Sequence, residues 1–489
     1  MAQTASTHLR SYSYPDTKLF IDSRWREGAG GDWAQVKNPA TGDTIGRVAL
    51  AAPSDLEASV RAGKSAYETW SRVSAFDRAL IMRRAADILR ERVSEIAPLI
   101  TMEQGKPIKE ARSEVMFAAE VTDWFADEGR RTYGRAIPAR GSDVSAIATM
   151  EPLGLIAGFT PWNYPLGQAI RKIAIALAAG CAIVIKVAEE TPAAAAAMVQ
   201  AFIDAGLPAS TLQLVFGDPT QVSSHLISHP DVRGISFTGS TVVGRKLTAM
   251  AGQHLKRCVM ELGGHAPAVV FADADLEAAT ETLAGDKFHN AGQACISPTR
   301  FLIEDAAHER FVERFSARAG AIQIGDGLDP QADMGPLAND RRVSALTALI
   351  DDAVAQGARL VTGGPATGKR GYFFHPTVLT DVPVHARIMN EEPFGPVAII
   401  NRFSTASEAI AEANRLPFAL AAYGWSRDAA QIAFMQRHIR SGMLSINHNG
   451  LGLPEVPFGG IHDSGYGDEG GIEALREMMF SRFVSVRSQ

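Results

Sequence analysis

From Leu153 onward the chain repeats one pattern: a short apolar run, a turn, then a helical period. Leu155-Ile156-Ala157 leads to a helix over 170–179, the run 182–185 to a helix over 192–205, the run 212–215 to a helix through Leu226, and the run 234–237 to a helix from about Thr241. Strands that alternate with helices in this way lie parallel in one sheet with the helices on its faces. The alternation resumes at 268–271, with a helix from Asp275, and again at 300–303, with a helix from about Ala306. At 489 residues the chain is also too long for one ordinary core. The fold class is therefore α/β, with two α/β units whose boundary falls near Glu261-Leu262-Gly263-Gly264.

Before this alternation, residues 18–48 read as short strands and turns. Ser54 or Asp55 is placed to cap a helix carrying Leu56, Val60, Ala66 and Trp70. Helices over 74–92, 94–104 and 108–129 follow, rich in Arg and Glu; they read as packing layers with solvated outer faces and no chemistry. The segment 137–151 turns at Gly141-Ser142-Asp143 and reads as an extended hairpin. Residues 1–15 are polar, lack the apolar stretch of a secretory signal, and read as a loose arm. The most apolar segment, 166–185, is broken by Arg171, Lys172 and Gly180, which fits a buried helix and strand, not a membrane span. A net charge of −6 with no basic stripe argues against a nucleic-acid partner. Cys181, Cys258 and Cys295 are too few for a disulfide framework, which favours a reducing compartment, the cytoplasm. His225 and His229 are spaced for one helix face, but no acidic or cysteine partner accompanies them in sequence, so no metal site is expected.

Three places carry the chemistry. Cys295 follows a Gly-containing break between a helix-like and a strand-like segment, at a turn where a thiol faces a cleft. A lone cysteine is ordinarily a small buried apolar residue, and becomes a nucleophile where amides or cations stabilise its thiolate. Lys186 and Glu189 project from the loop between a strand ending at Lys186 and a helix that Thr191 caps and Pro192 opens, the end of an α/β sheet that binds ligands. An acidic side chain there accepts from a ribose hydroxyl and repels a 2′-phosphate, which favours NAD over NADP; a solvated ion pair is the alternative. Thr238-Gly239-Ser240 leads through Gly244 into another helix, and small residues at a helix N-terminus let amides approach a phosphate.

Four segments in order, Thr160-Pro161-Trp162-Asn163-Tyr164-Pro165, Glu261-Leu262-Gly263-Gly264, Gly292-Gln293-Ala294-Cys295 and Glu392-Pro393-Phe394-Gly395-Pro396, resemble the NAD(P)-dependent aldehyde dehydrogenase superfamily. Lys186-Val187-Ala188-Glu189, Phe237-Thr238-Gly239-Ser240 and Pro457-Phe458-Gly459-Gly460 fit it too, and the resemblance runs from about Phe20 to Val484. It implies a Rossmann-like cofactor domain (1–129 and 151–260), an α/β catalytic domain (261–465) and a small β oligomerisation arm (130–150 and 466–489), assembling as a homodimer or homotetramer. It implies Cys295 as nucleophile toward an aldehyde, Asn163 as oxyanion donor, Glu261 as general base and Lys172 as a proton relay or an ordinary buried ion pair. Thr160, Trp162, Lys186, Glu189, Gly239, Ser240, Gly244, Glu392 and Phe394 would hold NAD, with NADP as the alternative.

Within the superfamily, Glu261 to Pro267, Lys287 to Gly292 and Tyr133 to Pro138 look most like the succinate-semialdehyde dehydrogenase branch. Arg171 falls where that branch holds a substrate carboxylate, and a guanidinium suits that pairing. His289 stands where the branch usually has a second arginine, which weakens the clamp. The implied substrate is a carboxylated short-chain semialdehyde such as succinic semialdehyde; the alternatives are a broader aliphatic or aromatic aldehyde, or a catalytically idle binding protein.

Overall fold

In the computed structural model, which describes residues 12–366, 368 and 370–488, the strands gather into two large sheets, a three-stranded third one and two strand pairs. Most of the loose-arm segment 1–15 lies outside the described residues.

The first sheet has eight strands in the order Arg24–Arg26, Leu19–Ile21, Leu212–Val215, Ala182–Lys186, Leu155–Phe159, Val232–Thr238, Arg257–Glu261, Gly465–Tyr466. The five from Leu212–Val215 to Arg257–Glu261 run parallel. The chain starts this set at Leu155–Phe159, winds outward one way, then crosses to Val232–Thr238 and winds the other way. A crevice opens at the carboxyl ends of the strands where the winding reverses, the place such sheets bind ligands. Thr160 follows the last residue of one flanking strand, and Thr238 ends the other.

Helix Pro165–Ala179 packs against this sheet with every one of its residues buried, Arg171 and Lys172 included. Its first free amides, Leu166 N–H and Gly167 N–H, donate to the Glu114 carboxylate at 2.9 and 3.0 Å. Helix Pro192–Asp204 is capped in the same way from another element: Glu103 accepts from Ala193 and Ala194. Thr191 occupies the N-cap position, but its side chain accepts nothing. Helix Pro53–Trp70 likewise departs from expectation: Ala52 is its N-cap, and Asp55, in the first turn, accepts from the Ala52 and Ala29 amides. A carboxylate reaches two orphan amides at a helix start where a hydroxyl reaches one.

The second sheet orders its seven strands Arg359–Pro365, Phe374–Thr380, Val397–Phe403, Pro298–Glu304, Ala266–Val270, Ala421–Trp425, Met443–Ile446, with only the first antiparallel to its neighbour. The two sheets meet in sequence between Glu261, the last residue of Arg257–Glu261, and Ala266, so Leu262–His265 spans the gap. The third sheet pairs Arg135–Ile137, Val144–Pro152 and Met479–Arg487. Among the described residues no helix is long and apolar enough to cross a membrane.

Candidate active site

Helix Leu276–Phe288 stops at a turn whose residues Asn290, Ala291 and Gly292 all have left-handed backbone (φ 50°, 53° and 69°). Gly292 has no alternative, since a Cβ there would lie 2.2 Å from the Gly395 carbonyl oxygen. Left-handed residues other than glycine cost on the order of 1–3 kcal/mol each and persist only when their surroundings fix them. Here the Asn290 amide donates to Glu110 at 2.9 Å, and its side chain accepts from Gln104 at 2.8 Å and donates to the Asn163 carbonyl at 2.8 Å. The turn delivers Cys295 to the wall shared by two cavities.

Gln104, Glu110 and Glu114 come from the helices read as packing layers, and Lys106 from the loop between them; their buried faces brace the site. Lys106 is buried, 2.6 Å from Glu114, and also donates to the Asn163 carbonyl at 3.0 Å. The missed signal is a compact set: Gln104 and Glu114 are buried polar residues of the two helices, Lys106 is buried in the loop between them, and Glu110 is less buried.

Glu261 ends its strand beside Cys295. Both carboxylate oxygens are buried and accept no hydrogen bond. Burial, then the nearby Glu469 charge, pushes its pKa up to about 8. The Cys295 thiol is pushed well up by burial and by Glu261, so the sulfur is held protonated. Asn163 donates from Nδ2 to the Gln293 carbonyl at 3.0 Å, while its buried Oδ1 accepts nothing. Lys172 forms a fully buried ion pair with Glu469 and donates to the Thr238 hydroxyl at 2.7 Å. Glu469 also accepts from the Ser236 hydroxyl at 2.8 Å. The buried-ion-pair alternative for Lys172 is thus the contact observed. Glu469 was not singled out in the sequence, because a glutamate inside Gly467-Asp468-Glu469-Gly470 has the look of a solvated turn.

On one side of Cys295 lies a cavity of about 470 Å³ lined by Trp162, Asn163, Gly239, Ser240, Glu392 and Phe394, with Glu261 at its inner end. Phe394 stands edge-on to Trp162, ring centres 5.7 Å apart. Glu392 accepts from the Gly264 amide at 3.2 Å, and burial lifts its pKa to about 7. Ser240 caps helix Thr241–Gln253, whose N-terminus opens here. Gly244 does not line the cavity; it sits a turn into that helix, where a Cβ would strike Leu262. Lys186 and Glu189 form an ion pair at 2.8 Å beyond the cavity, and Glu189 also accepts from the Gly217 amide. Thr160 has a buried hydroxyl with no partner. Asn339, Arg341 and Arg342 add to the lining and were missed in the sequence, where nothing distinguishes them from helix-capping and surface residues.

On the other side is a cavity of about 300 Å³. Phe117, Tyr164, Ile296, Leu451 and Phe458 give it apolar walls, and Glu110, Ser113, Glu114, Gln168, Arg171 and His289 are its polar points. Arg171 is buried between Phe117 and Phe458, and donates to the carbonyls of Glu469 (2.7 Å) and Gly452 (2.5 Å). Burial draws its pKa down to about 10. His289 sits at the mouth, stacked on Tyr164 and 3.4 Å from Glu110. Its side chain is 45% exposed, and partial desolvation with the Lys106 charge lowers its imidazole pKa. Tyr164 and Phe458 belong to segments the sequence had flagged, Phe117 and Gln168 to none.

His225 and His229 both lie 3.5 Å from Glu57, an acidic partner that comes from a different helix and could not be seen from local spacing. Among the described residues no group of three or more His, Cys, Asp or Glu side chains is arranged to hold a metal ion.

Residues 25–484 match the model of the aldehyde dehydrogenase family. The chain is 43% identical to 4-(hydroxymethyl)benzenesulfonate dehydrogenase from Comamonas testosteroni, over 96% of this chain and 98% of that protein. It is 40% identical to the NADP(+) succinate-semialdehyde dehydrogenase of Escherichia coli strain K12, over 95% and 98%. Its fold superposes on the crystal structure of Staphylococcus aureus betaine aldehyde dehydrogenase in complex with NAD+ with a TM-score of 0.94 at 31% identity, covering 97% of this chain and 95% of that one.

Proposed function

The chain belongs to the aldehyde dehydrogenase family, and from that premise we propose that it oxidises an aromatic aldehyde to the carboxylic acid with NAD, through an acyl group carried on Cys295. The observation that carries this reading is the Glu261 carboxylate, free of protein hydrogen bonds, beside a thiol that faces both cavities.

The residues present fit a dinucleotide: an aromatic pair, a carboxylate, small residues and a helix N-terminus converge on the larger cavity. Trp162, Gly239, Ser240, Glu392 and Phe394 would hold it there, Thr160 and Gly244 would lie behind them, and Lys186 and Glu189 would take the adenosine ribose. When bound, NAD supplies the hydride acceptor. The Glu189 carboxylate favours NAD, because it would repel a 2′-phosphate.

The rest is done by the chain. The Cys295 sulfur adds to the carbonyl carbon, its proton is released to solvent, and the carbonyl electron pair moves onto oxygen. Asn163 Nδ2 and the Cys295 amide donate to that oxyanion. Once the carbon is at the acyl level, Glu261 takes a proton from a water that attacks it; the C–S bond breaks and the acid leaves. Lys172 pairs with Glu469 and offsets part of its charge beside Glu261.

Aromatic walls and a volume near 300 Å³ favour a ring over a four-carbon chain in the smaller cavity. The second reading is a carboxylated short-chain semialdehyde such as succinic semialdehyde, with its carboxylate on Arg171 and His289; the cation of Arg171 in the lining favours it. Exposed Ile147, Phe483 and Val486 on the third sheet support pairing with another copy as a homodimer or homotetramer, checked by light scattering. The free thiols Cys181, Cys258 and Cys295 support a cytoplasmic setting.

The test is absorbance of NADH across an aldehyde panel, with mass spectrometry of Glu261→Gln after mixing with aldehyde and NAD. Turnover in the parent and an acyl adduct at Cys295 in the variant are expected. No turnover with any aldehyde, or no adduct, overturns the reading.

A further inference from the structure

Among the described residues two cations line the larger cavity, Arg341 and Arg342, and they are held differently. Arg342 donates to the main-chain carbonyls of Pro393 and Phe394 and lies over the Phe394 ring. Arg341 has one polar partner, the Glu190 carboxylate at 2.9 Å, and its side chain is 75% exposed on the rim. The two partners come from opposite walls. Glu190 stands in the loop between strand Ala182–Lys186 and helix Pro192–Asp204, beside the first sheet. Arg341 lies at the start of helix Asp340–Ala355, which buries Leu346, Leu349 and Ile350 in the core around the second sheet. The pair therefore spans the cleft.

Its position marks which part of a dinucleotide would pass beneath it. The nicotinamide end belongs beside Cys295, with Glu392 and Phe394, and the adenosine ribose beside Lys186 and Glu189. The pyrophosphate joins these two ends. Arg341 lines the interval between them and reaches the residue next to Glu189. A pyrophosphate brings negative charge into a cavity that already holds the Glu261 and Glu392 carboxylates. Lys186 is paired with Glu189, and Arg342 is held by main-chain carbonyls. Arg341 is the cation that can be released. An exposed ion pair contributes little stability, and a guanidinium meets phosphate oxygens through two parallel hydrogen bonds.

We propose that Arg341 binds the cofactor pyrophosphate and that Glu190 competes with the cofactor for it. This rests on the dinucleotide reading of the larger cavity given above. The Arg341–Glu190 contact must open before the cation can meet phosphate, so the contact lowers the apparent affinity for the cofactor. Removing Glu190 and removing Arg341 then act in opposite directions. A strap that merely joins the two walls would respond to both changes in the same way.

The test is titration of the purified enzyme with NADH, NADPH, ADP-ribose and adenosine, by fluorescence or calorimetry, in the parent, Arg341→Gln, Glu190→Gln and the double variant. Arg341→Gln is expected to raise the Kd of NADH and ADP-ribose by about tenfold and to leave that of adenosine, which has no phosphate, unchanged. Glu190→Gln is expected to lower the NADH Kd by about threefold, a gain that a folding defect does not produce. The double variant should match Arg341→Gln within about twofold, because Glu190 acts through Arg341. An unchanged NADH Kd in Arg341→Gln overturns the proposal, and so does unchanged or weaker binding in Glu190→Gln. Equal loss for adenosine overturns it as well. An effect confined to NADPH also overturns it, and would place Arg341 on the 2′-phosphate. A parent that binds neither NADH nor ADP-ribose removes the dinucleotide reading itself.

Discussion

Glu261 and Cys295 approach each other from different sheets: one ends the strand Arg257–Glu261, the other precedes Pro298–Glu304, and the Glu261 charge raises the thiol's cost of ionising. With Glu261 held near pKa 8, its base form is the minority at neutral pH. Hydrolysis of the acyl group should therefore climb about tenfold per pH unit below 8 and level off above it. Single-turnover release of acid as a function of pH measures this limb. Glu261→Gln should abolish it and lower the rate by about 10²–10⁴-fold; a limb that persists in that variant would assign it to another group.

The same neighbour governs the thiol. Taking away the Glu261 charge should lower the Cys295 pKa, because the carboxylate opposes the thiolate. Iodoacetamide should then label Cys295 faster in Glu261→Gln than in the parent at pH 7, with Cys181, buried and pushed up to about 11, unlabelled in both. Equal rates would show that Glu261 does not act on the sulfur.

Asn163 has one side-chain bond, to the Gln293 carbonyl, and its amide is otherwise uncommitted as a donor. Asn163→Ala should reduce kcat by about 10²–10³-fold with a smaller change in KM, the mark of a donor used at the transition state. An equal loss in KM alone would make Asn163 a binding residue.

The parallel sheets, the buried segment 166–185 and the hairpin 137–151 were legible because hydrophobic period and turn chemistry are local properties of the sequence. Cys295, Glu261 and Asn163 were legible through short motifs that the turn at Asn290–Gly292 then brings together. What stayed hidden depends on partners far away in the chain. Glu114 looks like a solvated helix residue until helix Pro165–Ala179 presents two amides to it. Glu469 looks like a loop carboxylate until Lys172, 297 positions away, is folded against it. Glu57 beside His225 and His229 is the same case. Thr191 is the reverse: the local signal named the right position but the wrong capping group.

The Lys172–Glu469 pair gives a stability prediction. Both side chains are buried, so removing one partner strands the other charge, at a cost of about 3–5 kcal/mol. Glu469→Gln should lose that much in denaturant unfolding, and Lys172→Met with Glu469→Leu should recover most of it. Glu469 is also the largest charge effect raising Glu261. Its neutralisation should therefore move the hydrolytic pH limb below 8. Full stability in Glu469→Gln would mean that water or movement relieves the lysine.

Cofactor choice rests on Glu189. Its Oε1 accepts the Gly217 amide at 2.9 Å, and the carboxylate pairs with Lys186. Glu189→Gln keeps an acceptor for Gly217 while removing the charge that would oppose a 2′-phosphate and leaving the Lys186 cation to attract one. The ratio of kcat/KM for NADP to that for NAD should rise by about tenfold, equivalent to roughly 1.4 kcal/mol. The charge is only partly buried, so a larger shift is not expected. The rise should shrink as salt is added, since it is electrostatic in origin. A parent that already prefers NADP, or a ratio that does not move in the variant, would place the discrimination on other groups around the ribose.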